Sequence, residues 1–382
     1  MNNMRPEILS LGFVNFHETC QALCVVKFSD ARKKVFCHEL KKISEIFLGI
    51  NAATLAPNVI AARKGDLDFF WQWALALDDR NGYTLSHEMR GAMDNLCKHW
   101  VAEHPKYIFA ATDGNFSINR YHSSWDVLMD NIDKIYGMKF SHQLVTFEVP
   151  KPLFNDFLFV SIIYHEMGHF VDNYYNISDE VVRRIKSRLA NKDEEEKIRK
   201  EFFPIIQCTY DDTAGAYKDE KKRDEYIESY VGEFIADLFG AQYVGAHIIN
   251  HIELNRHGTY NIYSDTHPAP QSRAALVNAF LTNDTSNFLL KDILDSFVDT
   301  GLDLKNRYIR PADALNLEKG QPLTIGNDDE LHSLFQLGWE IYFRGEAAMD
   351  VACGNAAGTT GKYEFYSKLN EAMRQSIRNY LG

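Results

Sequence analysis

The 382-residue chain has no apolar run long enough for a bilayer. Its longest, Phe157 to Tyr164, falls far short of the roughly 20 residues a spanning helix requires. Membrane insertion is therefore not expected. Met1 to Gly12 lacks a basic flank followed by a sustained apolar stretch, so no signal peptide is expected there. Cysteine is scarce: Cys20, Cys24, Cys37 and Cys97 lie in the first hundred residues, and Cys208 and Cys353 stand alone. That spacing gives neither a compact disulfide framework nor the paired ligands of a structural zinc site, and reduced thiols in a cytoplasmic protein are the expectation. Positive charge is also in deficit, with 41 Lys+Arg against 53 Asp+Glu for a formal net charge of −12. Such a balance repels nucleic acid, and the most basic run, Lys218 to Arg223, contains Asp219 and Glu220. No internal repeat or low-complexity linker appears.

What is present is ample core material, with 45% hydrophobic residues and 13% aromatics, in a length that suits two domains. Ala31 to Leu48 reads as a helix from Val35, Leu40, Ile43, Ile46 and Phe47, and Leu67 to Leu77 and Ser86 to Val101 read likewise. Tyr107 to Ala111 is strand-like, closed by Asp113-Gly114-Asn115, and Leu144 to Val149 is a second strand ended by Pro150 and Pro152. Asn155 or Asp156 then caps a helix running through Phe157, Ile162 and His169. A charged helix is expected over Asp179 to Phe203, a loop over Asp211 to Lys218, and a long helix from about Asp224 to His251. Asn255 to Ala269 reads as irregular, and helices fill the remainder to Tyr380.

The chemistry concentrates in His165-Glu166-Met167-Gly168-His169, an H-E-x-x-H sequence. Residues four apart on a helix lie one turn above each other, so both imidazoles project from one face and can share a metal. Glu166 sits about 100° round the helix, where it can take a proton from water without filling a ligand position. A catalytic zinc needs a third protein ligand. The extended scheme with Gly and a third His downstream fails, because Asp172 and Tyr175 occupy those positions. Glu233, in Ser229-Tyr230-Val231-Gly232-Glu233-Phe234-Ile235-Ala236-Asp237, is the better candidate. Asp237, one turn on, would accept a hydrogen bond from a ligand histidine, and Gly232, Ala236 and Gly240 would let the two helices approach closely. The rivals are Glu194, Glu195 and Glu196 in a charge run, and the pair His247 and His251. His251 lies about five turns beyond Glu233 on the expected helix. The strand upstream stands where an edge strand could align an extended peptide. A phosphate loop over Cys353 to Lys362 fails at Ala356 and Tyr363, and no serine-hydrolase elbow is present.

These residues resemble the gluzincin peptidases, and within them the CAAX-prenyl-protease and heat-shock membrane protease group, though without transmembrane helices. The match runs through His165-Glu166-x-x-His169, then Glu233-x-x-Ala236-Asp237, then Thr266-His267-Pro268 with Arg273, over about residues 144 to 280. The resemblance implies a predominantly helical α+β fold. A zincin-like metallopeptidase domain would cover 141–382, with an N-terminal mixed α/β extension, regulatory or substrate-recognising, over 1–140. It implies one Zn2+ per chain on His165, His169 and Glu233, with Glu166 as general base. His267 and Arg273 would reach the cleft to steady the oxyanion or the ligand carboxylate. The expected partner is a protein or peptide substrate. The alternative is a catalytically silent or latent protein of this fold, acting as an interaction scaffold or held inactive by its own N-terminal region or a regulatory partner.

Overall fold

Periodic apolar residues become helices from the start of the chain in the computed structural model, which describes residues 5–28, 30–78, 86–114, 117–119, 125–211, 213–214, 216–250, 266–353 and 359–382. The described chain divides into two compact units: Met1–Asp94 with Ala102–Phe154, and Asn95–Val101 with Asn155–Gly382. The expected boundary at 140/141 thus has a counterpart at 154/155, which leaves the second predicted strand with the N-terminal unit. Helix predominates beside one small mixed sheet, an α+β arrangement. No described helix is long and apolar enough to cross a membrane.

In the first unit α1 (Pro6–Cys24), α2 (Ala31–Leu48) and α3 (Pro57–Leu77) share a core. α1 contributes Leu9, Phe13, Phe16, Cys20 and Leu23 at three- and four-residue spacing, and α2 faces them with Phe36, Leu40, Ile43 and Phe47. Asp30 caps α2 by accepting from the Arg32 N–H at 2.9 Å. α4 (His87–Trp100) begins in this unit and its last residues belong to the second. Strands β1 (Tyr107–Asp113) and β2 (Ser117–Asn119), helix α5 (Trp125–Tyr136) and strand β3 (Gln143–Val149) complete it. β3 pairs in parallel with β1 over its whole length, Tyr107 opposite Gln143, and antiparallel with β2, Ile118 opposite Phe147. β3 is therefore the central strand, and the expected edge strand for an extended peptide is not there: its hydrogen-bonding sides face β1 and β2.

The second unit is built around two helices. α6 (Ile163–Tyr175) follows a 3-10 turn over Phe159–Ile162 that Asp156 caps, accepting from the Leu158 and Phe159 N–H groups at 3.2 and 3.1 Å. It stops at Asn176, whose left-handed backbone (φ 54°) also opens α7 (Ile177–Leu189). The single charged helix expected over Asp179 to Phe203 is instead divided. Asn191 caps α8 (Lys192–Lys197) by accepting from the Asp193 N–H at 3.0 Å, and a π turn follows over Ile198–Phe202. The expected loop after it carries a two-residue hairpin, β4 (Tyr210–Asp211) against β5 (Ala216–Tyr217).

α9 (Glu220–Val244) is capped by Asp219 and buried on nearly every side from Tyr230 onward, so it threads the centre of the unit. Its last residue, Val244, is followed by Gly245 with φ 63° and lies seven residues before the sequence-based limit at His251, which lies outside the described residues. α10 (Pro270–Leu281), α11 (Phe288–Asp299), α12 (Ala314–Glu318), α13 (Asp328–Cys353) and α14 (Thr359–Leu381) complete the unit. Cys20, Cys24, Cys37, Cys97 and Cys208 form no disulfide.

α6 and α9 cross closely because Gly168 has no side chain. A Cβ there would lie 2.7 Å from both Ala236 Cα and Phe239 Cβ, distances that no packing adjustment of side chains alone relieves. Of the small residues expected at this crossing, Ala236 is in it. Gly240 lies against Ile248 and the His165 backbone nitrogen, whereas Gly232 has only Asp172 Oδ2 within reach, at 3.9 Å.

Candidate metal centre

His165 and His169 stand one turn apart on α6, as their spacing demands, with ring centroids 4.8 Å apart and planes at 86°. Opposite them α9 presents Glu233, whose Oε1 lies 3.3 Å from His169 Nε2 and whose Oε2 lies 3.6 Å from His165 Nε2. A tetrahedral ion with ligands at about 2.1 Å sets its ligand atoms about 3.4 Å apart. The two measured separations bracket that value. All three side chains are buried, and among the described residues theirs is the one group of three or more metal-ligating side chains with converging donor atoms.

The donor set fits a divalent cation on a further count. Glu233 Oε2 is shut off from solvent yet accepts no hydrogen bond. A buried carboxylate oxygen left in that state is costly unless a cation satisfies it. The Arg273 guanidinium stands 3.3 Å from the same oxygen as an ion-pair partner. Burial pushes the Glu233 carboxyl pKa up, but the hydrogen bond and charge of His169, then Arg273 and His165, outweigh it and hold the group well below the usual range. It is a carboxylate, as a ligand must be.

Asp237 supplies the orientation. Completely buried one turn beyond Glu233, it accepts from His165 Nδ1 at 3.0 Å and from Arg273 Nε and Nη2 at 2.6 and 2.7 Å. With its Nδ1 committed to a carboxylate, His165 turns Nε2 towards Glu233 and His169. Burial raises the Asp237 pKa, and Arg273 and His165 more than reverse this. Arg273 is itself driven above its ordinary value: burial opposes its charge, and Asp237, Glu233 and Glu166 prevail. Its fork is engaged by Asp237, with Glu233 beside it. Glu166 is buried on α6 between the two histidines in sequence, and its charge acts on both His165 and Arg273.

His267 comes from the irregular segment before α10. Its side chain is 56% exposed, the most open of the candidate residues, and its Nε2 lies 3.7 Å from Glu233 Oε1. Thr266 Oγ1 is 2.8 Å from His267 Nδ1, and the Ser229 hydroxyl of α9 donates to the Thr266 carbonyl at 2.9 Å, which ties this segment to the helix that carries Glu233. All the sequence candidates therefore come together here.

The rivals do not. Glu194 pairs with Arg188 and Glu196 with Lys200, away from the histidines. His247 stacks with Phe343 and Trp339, and its expected companion His251 lies outside the described residues. Asp172, at the position that ruled out the three-histidine scheme, accepts from the Ser178 N–H at 2.7 Å and so secures the start of α7. Sequence reading missed Gly168, although it lies inside the motif: its importance comes from the facing helix, and only its smallness between the two histidines signalled it. No protein-family model, curated protein or solved structure matches the chain.

Proposed function

We propose that this chain is a zincin-like metallopeptidase, with one zinc ion held by His165, His169 and Glu233 and with Glu166 as general base. The observation that carries the reading is the carboxylate of Glu233. It is brought by α9 to 3.3 and 3.6 Å from the two Nε2 atoms of an H-E-x-x-H helix, with one oxygen accepting no hydrogen bond. Zinc in such a site supplies Lewis acidity that makes both a carbonyl and a water more reactive. The protein's own groups supply the rest. Glu166 takes the proton of the attacking water and delivers it to the departing amine, so the peptide bond is exchanged for a carboxylate and an amine. His267, open to solvent at the edge of the site, donates to the oxygen on which negative charge develops. Asp237 holds the His165 tautomer, and Arg273 holds Asp237 and balances the buried acids. The substrate proposed is a protein or peptide.

The test compares the wild type with Glu166→Gln on a peptide library, with zinc measured on both. The substitution keeps the side chain's shape and removes its basicity. Zinc content should stay at about one per chain, and cleavage should fall by about 10²–10⁴-fold. Turnover near wild type in the variant would refute the assigned base. Bound zinc with no cleavage by the wild type would leave the chain a scaffold.

A further inference from the structure

Ser229, Glu233 and Asp237 stand at successive turns of α9, so their side chains form one stripe along the helix. Each meets a different part of one short segment. The Ser229 hydroxyl donates to the Thr266 carbonyl at 2.9 Å, and Glu233 Oε1 lies 3.7 Å from His267 Nε2. Asp237 receives Arg273 Nε and Nη2 at 2.6 and 2.7 Å. The contacts keep chain order: as α9 runs forward through its three turns, the segment runs forward beside it. Glu233 and Asp237 belong to the candidate metal centre, whereas Ser229 stands one turn before it and is neither a ligand nor a base.

The segment is fixed unevenly along its length. Downstream, Pro268 is buried, and Arg273 is buried with its fork on Asp237. Upstream, Thr266 and His267 are exposed. A hydrogen bond to the main chain of residue 266 limits where the next Cα can go, whatever contacts the His267 ring itself makes. We infer that Ser229 is a positioning residue, whose hydroxyl holds the Thr266 carbonyl and thereby keeps the His267 imidazole beside Glu233. The catalytic consequence rests on the peptidase reading, in which His267 donates to the developing oxyanion. Donation of that kind is sensitive to a displacement of about 1 Å. The placement itself belongs to the fold and is measured without turnover.

The full-length wild type is compared with Ser229→Ala and with Ser229→Thr, which keeps the hydroxyl. Hydrogen–deuterium exchange of the amides from His267 to Arg273 should quicken about tenfold in Ser229→Ala, the weight of one hydrogen bond. Exchange in α1 to α3 and the zinc content should not change. On a peptide substrate kcat should fall about tenfold with KM little altered, and Ser229→Thr should restore both exchange and kcat. In a His267→Ala background Ser229→Ala should cost nothing further, because it acts through that histidine. The inference is overturned if exchange in the segment is unchanged, if Ser229→Ala holds less zinc than the wild type, or if Ser229→Thr behaves like Ser229→Ala. It is overturned equally if Ser229→Ala lowers kcat as much without His267 as with it. A wild type that cleaves no peptide refutes the peptidase reading by itself, and exchange then decides the placement of His267 alone.

Discussion

At the scale of single residues, His332 is a buried histidine that the fold holds uncharged. His332 is packed edge-on to the Tyr164 ring, takes the Tyr164 hydroxyl on Nδ1 at 2.7 Å, and gives its Nε2 proton to Asn95 Oδ1 at 3.1 Å. Burial pushes its pKa from the ordinary 6.5 to about 3; Asp328 raises it slightly, while His99 and Arg307 lower it. In the folded protein the ring stays neutral between those values, whereas in the unfolded chain it takes up a proton below 6.5. Protonation thus favours the unfolded state, and the stability this site contributes is present above pH 6.5 and is lost as the pH falls towards 3. The slope is at most about 1.4 kcal/mol per pH unit. Urea unfolding between pH 6.5 and 4.5 should show that slope in the wild type, and His332→Gln should flatten it. An equal slope in the two proteins would remove His332 from the account.

At the scale of elements, the crossing of α6 and α9 sets the spacing of the candidate metal ligands. In Gly168→Ala the new methyl meets backbone, so the helices must part, and His165 and His169 move away from Glu233. Overpacking of this kind costs about 1–3 kcal/mol. The variant should lose stability by that amount and bind zinc at least about tenfold more weakly. Gly232→Ala on the facing helix meets nothing closer than 3.9 Å and should hold zinc as the wild type does. Equal zinc affinity in the two variants, measured by competition with a chelator, would separate the crossing from the site. The helix pair was legible in the sequence because its signals are local: two histidines one turn apart, and an acid and its companion one turn apart. Other elements were hidden for identifiable reasons. The core stripe of α1 is blurred by Ile8, Leu11 and Val14, which are exposed. From Tyr230 onward α9 is buried on nearly every side, so this part has no polar face to mark its register, and its end at Gly245 depends on a backbone turn facing Gln336. The central place of β3 depends on β1 and β2, partners that no periodicity within Leu144 to Val149 can announce.

At the scale of the whole molecule, each unit has its own core, and the candidate metal side chains all lie in the second. A ligand that binds only the native state stabilises it by about 4 kcal/mol at a thousand times its dissociation constant. Zinc should therefore slow amide exchange in α6 and α9, and chelation should reverse this, while α1 to α3 exchange at an unchanged rate. Hydrogen–deuterium exchange read by mass spectrometry distinguishes these segments. A zinc effect confined to the first unit would move the metal elsewhere. The separation of the ligands along the chain also bears on how the protein is made. Glu233 is added sixty-four residues after His169. At about 5–20 residues per second that is a delay of about 3–13 seconds. During that interval the nascent polypeptide holds two imidazoles but neither the carboxylate that completes the set nor Asp237, which orients His165. Translation thus keeps the two halves of the site apart in time, and a ribosome-bound chain that has not reached α9 cannot form the three-ligand set.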